Sequence, residues 1–349
     1  MTTIMEQESR ETPSCIETQW QQNLPVIKEI CNHVAQKKPT CAMTIARGSS
    51  DHAATFAKYL LETQCGLITA TAAPSVVTLY KSQLQLKDSL VIGISQSGKS
   101  PDICEVMQQA KKNHAITIAI VNVVDSPLAE IADFVLPLHV GVENAVAATK
   151  SYIGSLAALI QLSAYLADNK SLLKTMDKLP DTLHAAAEQD WTMMTHSLEK
   201  VEDSLVLARG YGFPIAQEAA LKLKETMGMH AEAFSGAEVL HGPFAVIKPN
   251  FPSLLFTQND ATLTGMLTLA EKIKHIGGKT LIAAPHGIAS LDQLNSAATH
   301  ILPLPTSLHP ICDPLMCIQA FYPAVAQLAV NRGKNPDAPD NLKKVTETR

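Results

Sequence analysis

The sequence predicts an α/β protein of two tandem domains, each a doubly wound parallel sheet flanked by helices. Three observations carry that expectation. Near-continuous apolar runs alternate with helical stretches along most of the chain, as parallel strands covered on both faces require. One design occurs twice, as "TIARGSSDHAATFAKYLLE" (44–62) and "VLARGYGFPIAQEAALKLKE" (206–225). Each copy is an apolar run ending in Ala-Arg-Gly followed by an alanine-rich helical pattern, which reads as a duplicated strand–loop–helix unit. Finally, 349 residues with 46% hydrophobic composition exceed what one core normally holds.

Taken in order, residues 1–28 form a polar, acidic arm without the basic and apolar regions of a secretory signal. The first domain, 29–170, offers strands in the run from Thr44 and at 66–72, 89–95, 115–124 and 134–140. Its most apolar window, "IGSLAALIQLSAYLA" (153–167), is too short to span a bilayer, carries Gln161, and reads as a buried core helix. Residues 171–200 read as charged connecting helices broken at Pro180. The second domain, 201–332, repeats the order with strands at 204–210, 253–258, 279–285 and 300–305 and a last helix from about Cys312 to Asn331. A Pro-, Asp- and Lys-rich tail, 333–349, has no core-forming pattern.

The balance of 28 Lys+Arg against 33 Asp+Glu, with no basic run, argues against a nucleic-acid partner. No segment argues for a membrane. Seven scattered cysteines without a C-x-x-C pair suit free thiols in a reducing cytoplasm and point to no metal.

Residues Gly93 to Ser100, "GISQSGKS", match the spacing of a nucleotide-binding P-loop. A P-loop starts its first glycine where the strand ends, whereas Gly93 sits inside the run Val91-Ile92-Gly93-Ile94. Spacing alone leaves the nucleotide reading open, because Asp125 at the end of the next run is placed like a magnesium-holding acid. In the other reading Ser95, Gln96, Ser97 and Ser100, with the turn's N–H groups and the following helix dipole, cradle one phosphate. A serine-rich capping turn is the third.

The turn "SQSGKS" (95–100) resembles the S-Q-S-G-E-T loop of sugar isomerase (SIS) domains, with Lys99 in place of the acid. Further stretches resemble the isomerase half of glucosamine-6-phosphate synthase in the same order. They are "ARGSS" (46–50), "ENAVAATKSY" (143–152), "ALKLKE" (220–225), "HAEAF" (230–234), "EVLHGP" (238–243) and "NLKK" (341–344). The resemblance implies two SIS domains and a sugar-phosphate ligand.

It also implies roles. Glu225 matches the proton-transfer glutamate, Lys222 its companion lysine, His241 the ring-opening histidine and Lys344 the tail lysine that forms an imine with the ketose. The phosphate cradle would be Ser95, Gln96, Ser97 and Ser100. Arg47, Gly48, Ser49, Ser50 and the backbone of Val146 and Ala147 lie in the stretches that hold the sugar. Ala148 replaces a serine of the pattern, and Arg47 replaces a cysteine, where a guanidinium suits either an anion or an acidic neighbour.

Helical spacing alone puts Glu218, Lys222 and Glu225 on one face. Without the resemblance that face reads as a solvated salt-bridging surface, His241 as a packed histidine and the tail as disordered.

In an open-chain 2-amino sugar phosphate, a carboxylate can carry the C2 hydrogen to C1, turning aldehyde and amine into a ketimine that water hydrolyses to ketose and ammonia. Such a base is expected to have its pKa raised by partial burial. Neither metal nor cofactor enters. The synthase takes its ammonia from an N-terminal glutaminase domain, for which fewer than fifty residues leave no room here. The expected activity is therefore that of an SIS-type glucosamine-6-phosphate deaminase. Galactosamine-6-phosphate deaminase and fructosyl-amino-acid-phosphate deglycase stay open, since pocket shape decides among them. A non-catalytic sugar-phosphate sensor would need the serine cradle but not Glu225, His241 and Lys344. In the resembling enzymes the histidine comes from a neighbouring subunit, which implies a homodimer.

Overall fold

The computed structural model describes residues 2–288 and 290–344. The chain opens with α1 (Ile4–Arg10) and α2 (Thr12–Lys37). The first sheet region follows as β1 (Cys41–Ile45), α3 (Ser49–Cys65), β2 (Thr69–Thr71), α4 (Pro74–Thr78), β3 (Ser89–Ser95), α5 (Pro101–Lys112), β4 (Ile116–Val121), α6 (Pro127–Ile131), β5 (Phe134–Pro137) and α7 (Lys150–Leu166). Three helices come next: α8 (Lys170–Met176), α9 (Leu179–Ala187) and α10 (Thr192–Leu198). The second sheet region is β6 (Asp203–Ala208), α11 (Phe213–Met227), β7 (His230–Ser235), β8 (Pro252–Phe256), α12 (Leu263–His275), β9 (Lys279–His286), α13 (Leu291–Ala297), β10 (His300–Thr306) and α14 (Asp313–Asn331).

All pairings are parallel, in the orders β2-β1-β3-β4-β5 and β7-β6-β8-β9-β10. The two orders are the same when each sheet is counted from its own first strand, so the duplicated motif reflects a duplicated topology. In such a sheet the order reverses between the first and third strands, and ligands bind outside the carboxyl ends of those strands. The fold therefore nominates the loops after β1 and β3, and after β6 and β8.

The chain forms two compact units. The first-sheet unit comprises Ser14–Glu143, Lys150–Asp177 and the segment from Lys343. The second-sheet unit comprises the segment ending at Pro13, Asn144–Thr149 and Lys178–Leu342.

In the first-sheet unit β3 and β4 are buried at every position, as their unbroken apolar sequence requires. One apolar layer packs β1, β3 and β4 against α5 through Ile45, Val91, Ala119, Val106 and Met107. Helix α7 is buried from Lys150 to Ala164, in keeping with a core helix rather than a surface one. In the second-sheet unit Leu207, Leu255 and Ile282 of the strands pack on Met266, Ala270 and Ile273 of α12.

Strand limits differ from the sequence reading where side chains leave the core. The runs at 66–72 and 134–140 contribute only Thr69–Thr71 and Phe134–Pro137. Strand β7 has no continuous apolar run to mark it: "HAEAFS" mixes polar and apolar residues because it is an edge strand, exposed at His230 and Glu232. The other edge, β10, tolerates Pro303 and Pro305 because one side of it has no strand to bond.

Asp313, at the start of α14, ties two loops of the second sheet together. It is fully buried and accepts hydrogen bonds from the Asn259 N–H (2.8 Å) and the Ser307 hydroxyl (2.6 Å). Burial pushes its carboxyl from 3.8 up to about 6, against those two hydrogen bonds, which favour the ion. Because the folded value lies above the unfolded one, the folded protein keeps a proton that the unfolded chain has lost. The resulting stability is fully present below about pH 3.8 and is lost as pH rises through about 6. Urea midpoints for wild type and Asp313→Asn at pH 4 and pH 7 are expected to show wild type losing up to about 3 kcal/mol relative to the variant. Parallel pH slopes in the two proteins would assign the effect elsewhere.

Candidate functional site

The nominated loops of the first sheet hold Arg47, Gly48, Ser49 and Ser50 after β1, and Ser95 to Ser100 after β3. Gly93 lies inside β3 and is buried; a Cβ there would come within 2.6 Å of Met107 Cε. The P-loop spacing is therefore not met, and the turn consists of Gln96 to Ser100 alone.

That turn is preformed by its own serines. Ser95 Oγ accepts from the Gly98 N–H at 3.0 Å, and Ser97 Oγ accepts from the Lys99 N–H at 3.4 Å. The Gln96 carbonyl accepts from the Asn122 and Val123 N–H groups, which fixes the other side of the loop. Gly98 has φ +65, a left-handed conformation that glycine adopts without strain, and it packs against the Ser126 hydroxyl. Ser100 stands at the N-cap position of α5, without a capping hydrogen bond from its side chain, and the N-terminus of this helix of 12 residues favours an anion. Two of the turn's N–H groups are thus held by hydroxyls rather than pointing outward.

Arg47 takes the acidic neighbour. Its Nε and Nη2 donate to Asp102 Oδ2 at 2.9 and 2.8 Å, and Asp102, in the first turn of α5, is buried. The guanidinium, half exposed, joins the loop after β1 to the helix behind the serine turn. Gly48, with φ 55, lets the chain turn into α3, whose first residues are Ser49 and Ser50.

Lys344 donates to Glu143 Oε2 at 2.9 Å, and the buried Glu143 also accepts from the Ser151 N–H (3.1 Å) and hydroxyl (2.8 Å). The tail lysine is anchored, against the disordered reading. Glu143, part of a matching stretch yet given no role by sequence, is its partner.

In the second-sheet unit, the face carrying Glu218, Lys222 and Glu225 is not a solvated surface: the first two residues are buried and Glu225 is partly covered. Glu218 is 0% and Lys222 1% exposed. Lys222 Nζ hydrogen-bonds Glu225 and lies 3.4 Å from Glu218 Oε1. Burial works against the Lys222 ammonium, but the two carboxylates outweigh it and hold its pKa above the ordinary value. Lys224 turns away and donates to the Ala231 carbonyl at 2.8 Å.

Glu225 lies near the end of α11, away from this sheet's own carboxyl-end loops. It opens on a cavity of about 280 Å³ that it lines with Lys224, Lys334, Asn335, Asp340 and Asn341. The tail thus forms one wall beside Glu225.

His241 ends a short 3₁₀ turn, Glu238–His241, and is exposed rather than packed. Val146 and Ala147 lie in the Asn144–Thr149 segment of this unit, and the Val146 N–H donates to the Asp337 carbonyl at 3.0 Å. That N–H is engaged by the tail.

Chemically, one unit offers a serine turn braced by its own hydroxyls at a helix N-terminus, and the other a carboxylate held by a buried ammonium beside a polar cavity. Among the described residues, no helix is long and apolar enough to cross a membrane.

The pattern of the SIS domain matches residues 37–164 and 197–330. The glutamine–fructose-6-phosphate aminotransferase (isomerizing) of Aquifex aeolicus is 32% identical over 307 residues, covering 86% of this chain and 51% of that protein. The chain therefore spans about half the length of the curated relatives it matches. A crystal structure from Silicibacter pomeroyi described as a phosphosugar isomerase has 34% identity and a TM-score of 0.88, covering 96% of this chain and 100% of that one. The glucosamine-6-phosphate deaminase of Thermotoga maritima shares the fold, with a TM-score of 0.71 at 20% identity, over 97% of this chain and 100% of that one.

Proposed function

The chain belongs to the SIS domain family, and on that premise we propose that it is a phosphosugar isomerase that works as a deaminase. It converts glucosamine 6-phosphate and water to fructose 6-phosphate and ammonia. The observation that carries this reading is the buried Lys222 ammonium paired with the partly exposed Glu225, which opens on a polar cavity.

In this reading the serine turn binds the phosphate and His241 opens the sugar ring. Glu225 takes the C2 proton and returns it to C1, while Lys222 keeps the carboxylate oriented and its charge balanced between transfers. The product is a C2 imine. Water adds to C2 and the nitrogen leaves as ammonia. A cavity of about 280 Å³ holds several waters, and water is what this last step consumes. Lys344, a primary amine on the tail, is the group for transient imine formation with the ketose.

Leu240 and Val246, 46% and 53% exposed in the two short 3₁₀ turns around His241, are the kind of surface a second copy covers. We take the working form to be a homodimer in which His241 serves the partner's substrate.

The test is ammonia release from glucosamine, galactosamine and N-acetylglucosamine 6-phosphates, with EDTA and without nucleotide. Glucosamine 6-phosphate is expected to turn over with EDTA present. The N-acetyl compound is expected to fail, since its nitrogen cannot form the imine. Aldose–ketose exchange without ammonia would replace deamination by simple isomerisation.

A further inference from the structure

Helix α14 brings a group to the catalytic face that no sequence motif marks. Tyr322, fully buried, donates its hydroxyl to Glu218 Oε1 at 3.2 Å. The same oxygen faces Lys222 Nζ at 3.4 Å, and Lys222 hydrogen-bonds Glu225. Four side chains thus form a line from the interior to the cavity: Tyr322, Glu218, Lys222, Glu225. Only the last has appreciable exposure, 23% of its side chain.

The charges explain why a neutral donor belongs there. Two carboxylates compete for one ammonium, and in a poorly solvated interior each would draw it strongly. A phenol donating to Glu218 satisfies part of that oxygen's accepting capacity without adding charge. Lys222 is then left to orient Glu225. We propose that Tyr322 is a positioning residue for the proton transfer, restraining the competing Glu218 so that Lys222 stays on Glu225, an inference that rests on Glu225 being the base. Without the phenol, Glu218 pulls Lys222 inward and Glu225 loses its fixed partner. Substrate affinity, which depends on the serine turn, is unaffected.

The experiment is a double-mutant cycle of Tyr322→Phe and Glu218→Gln in the full-length protein, reading kcat, KM and thermal midpoint. Tyr322→Phe keeps the ring and removes only the hydroxyl. It is expected to lower kcat about tenfold with KM unchanged, less than the roughly hundredfold cost of a full 1 Å misplacement because the ring and both carboxylates stay in place. In the Glu218→Gln background, where no second carboxylate competes, adding Tyr322→Phe is expected to change kcat less than twofold.

A kcat for Tyr322→Phe within twofold of wild type, a loss confined to KM, or the full tenfold loss repeated in the Glu218→Gln background would each overturn the proposal. Should Tyr322→Phe not fold, Glu218→Gln alone decides, since Glu218 is only the competitor: a kcat within tenfold of wild type with unchanged KM supports the proposal, and any larger loss or a changed KM refutes it. If wild type exchanges aldose and ketose without releasing ammonia, the deaminase reading falls and the same cycle is read on that exchange, which uses the same proton transfer. A wild type that catalyses neither ends both.

Discussion

Glu225→Gln is expected to lower ammonia release about a thousandfold while the protein stays folded and still binds glucosamine 6-phosphate. The amide keeps the shape of the side chain but cannot take a proton. Lys222 is not stranded by the change, because Glu218, 3.4 Å away, remains to balance the ammonium one to one. The destabilisation that usually follows removal of one partner from a buried pair is therefore small here. The serine turn lies in the other unit and is untouched. Calorimetric binding of the sugar phosphate together with a coupled ammonia assay makes the check. Turnover within tenfold of wild type would remove Glu225 from the role of base.

The second large effect is expected at the phosphate. Gly98→Ala puts a Cβ 2.2 Å from Ser126 Oγ and 2.7 Å from its Cβ, at a φ of +65 where alanine is strained. Ser126 is 1% exposed, so the turn must move instead. On the reading that this turn holds the phosphate, displacing it removes two charge-assisted hydrogen bonds, each worth about 1.5 kcal/mol, and KM is expected to rise about a hundredfold. Ser126→Gly offers a rescue, because the Ser126 hydroxyl is buried without a hydrogen-bond partner and its loss breaks no bond. The double variant is expected to recover about tenfold, the rest being the cost of φ. An unchanged KM in Gly98→Ala would show that this turn does not hold the phosphate.

How far the sequence could be read depended on whether the determining contacts are local. The strand leading into the serine turn was legible because burial on both faces writes an unbroken apolar run, and the turn because serine and glycine sit where the run stops. Edge strand β7 was not, since its outward positions are free to be polar. Helical spacing put Glu218, Lys222 and Glu225 on one side of α11 but carried no information on what lies over them. The cover comes from α14, and with it the reversal from solvated surface to buried line. Arg47 posed a similar difficulty: its choice between ligand and acid was settled by Asp102, 55 positions further on. The fold class survives such gaps because it rests on repeated periodicity, whereas each role in the site depends on one distant neighbour.

The amino-terminal helix α1 is stitched to two remote stretches of the second-sheet unit. Glu8 accepts from the Asn144 and Ala145 N–H groups, and Asp337 accepts from the Ile4 and Met5 N–H groups. Asp337 also closes the loop by binding Val146 through its own carbonyl. Trimming the first dozen residues, or fusing a rigid tag against them, therefore amounts to an edit of the Val146 segment and of the cavity wall beside Glu225, although no trimmed residue contributes a reactive group.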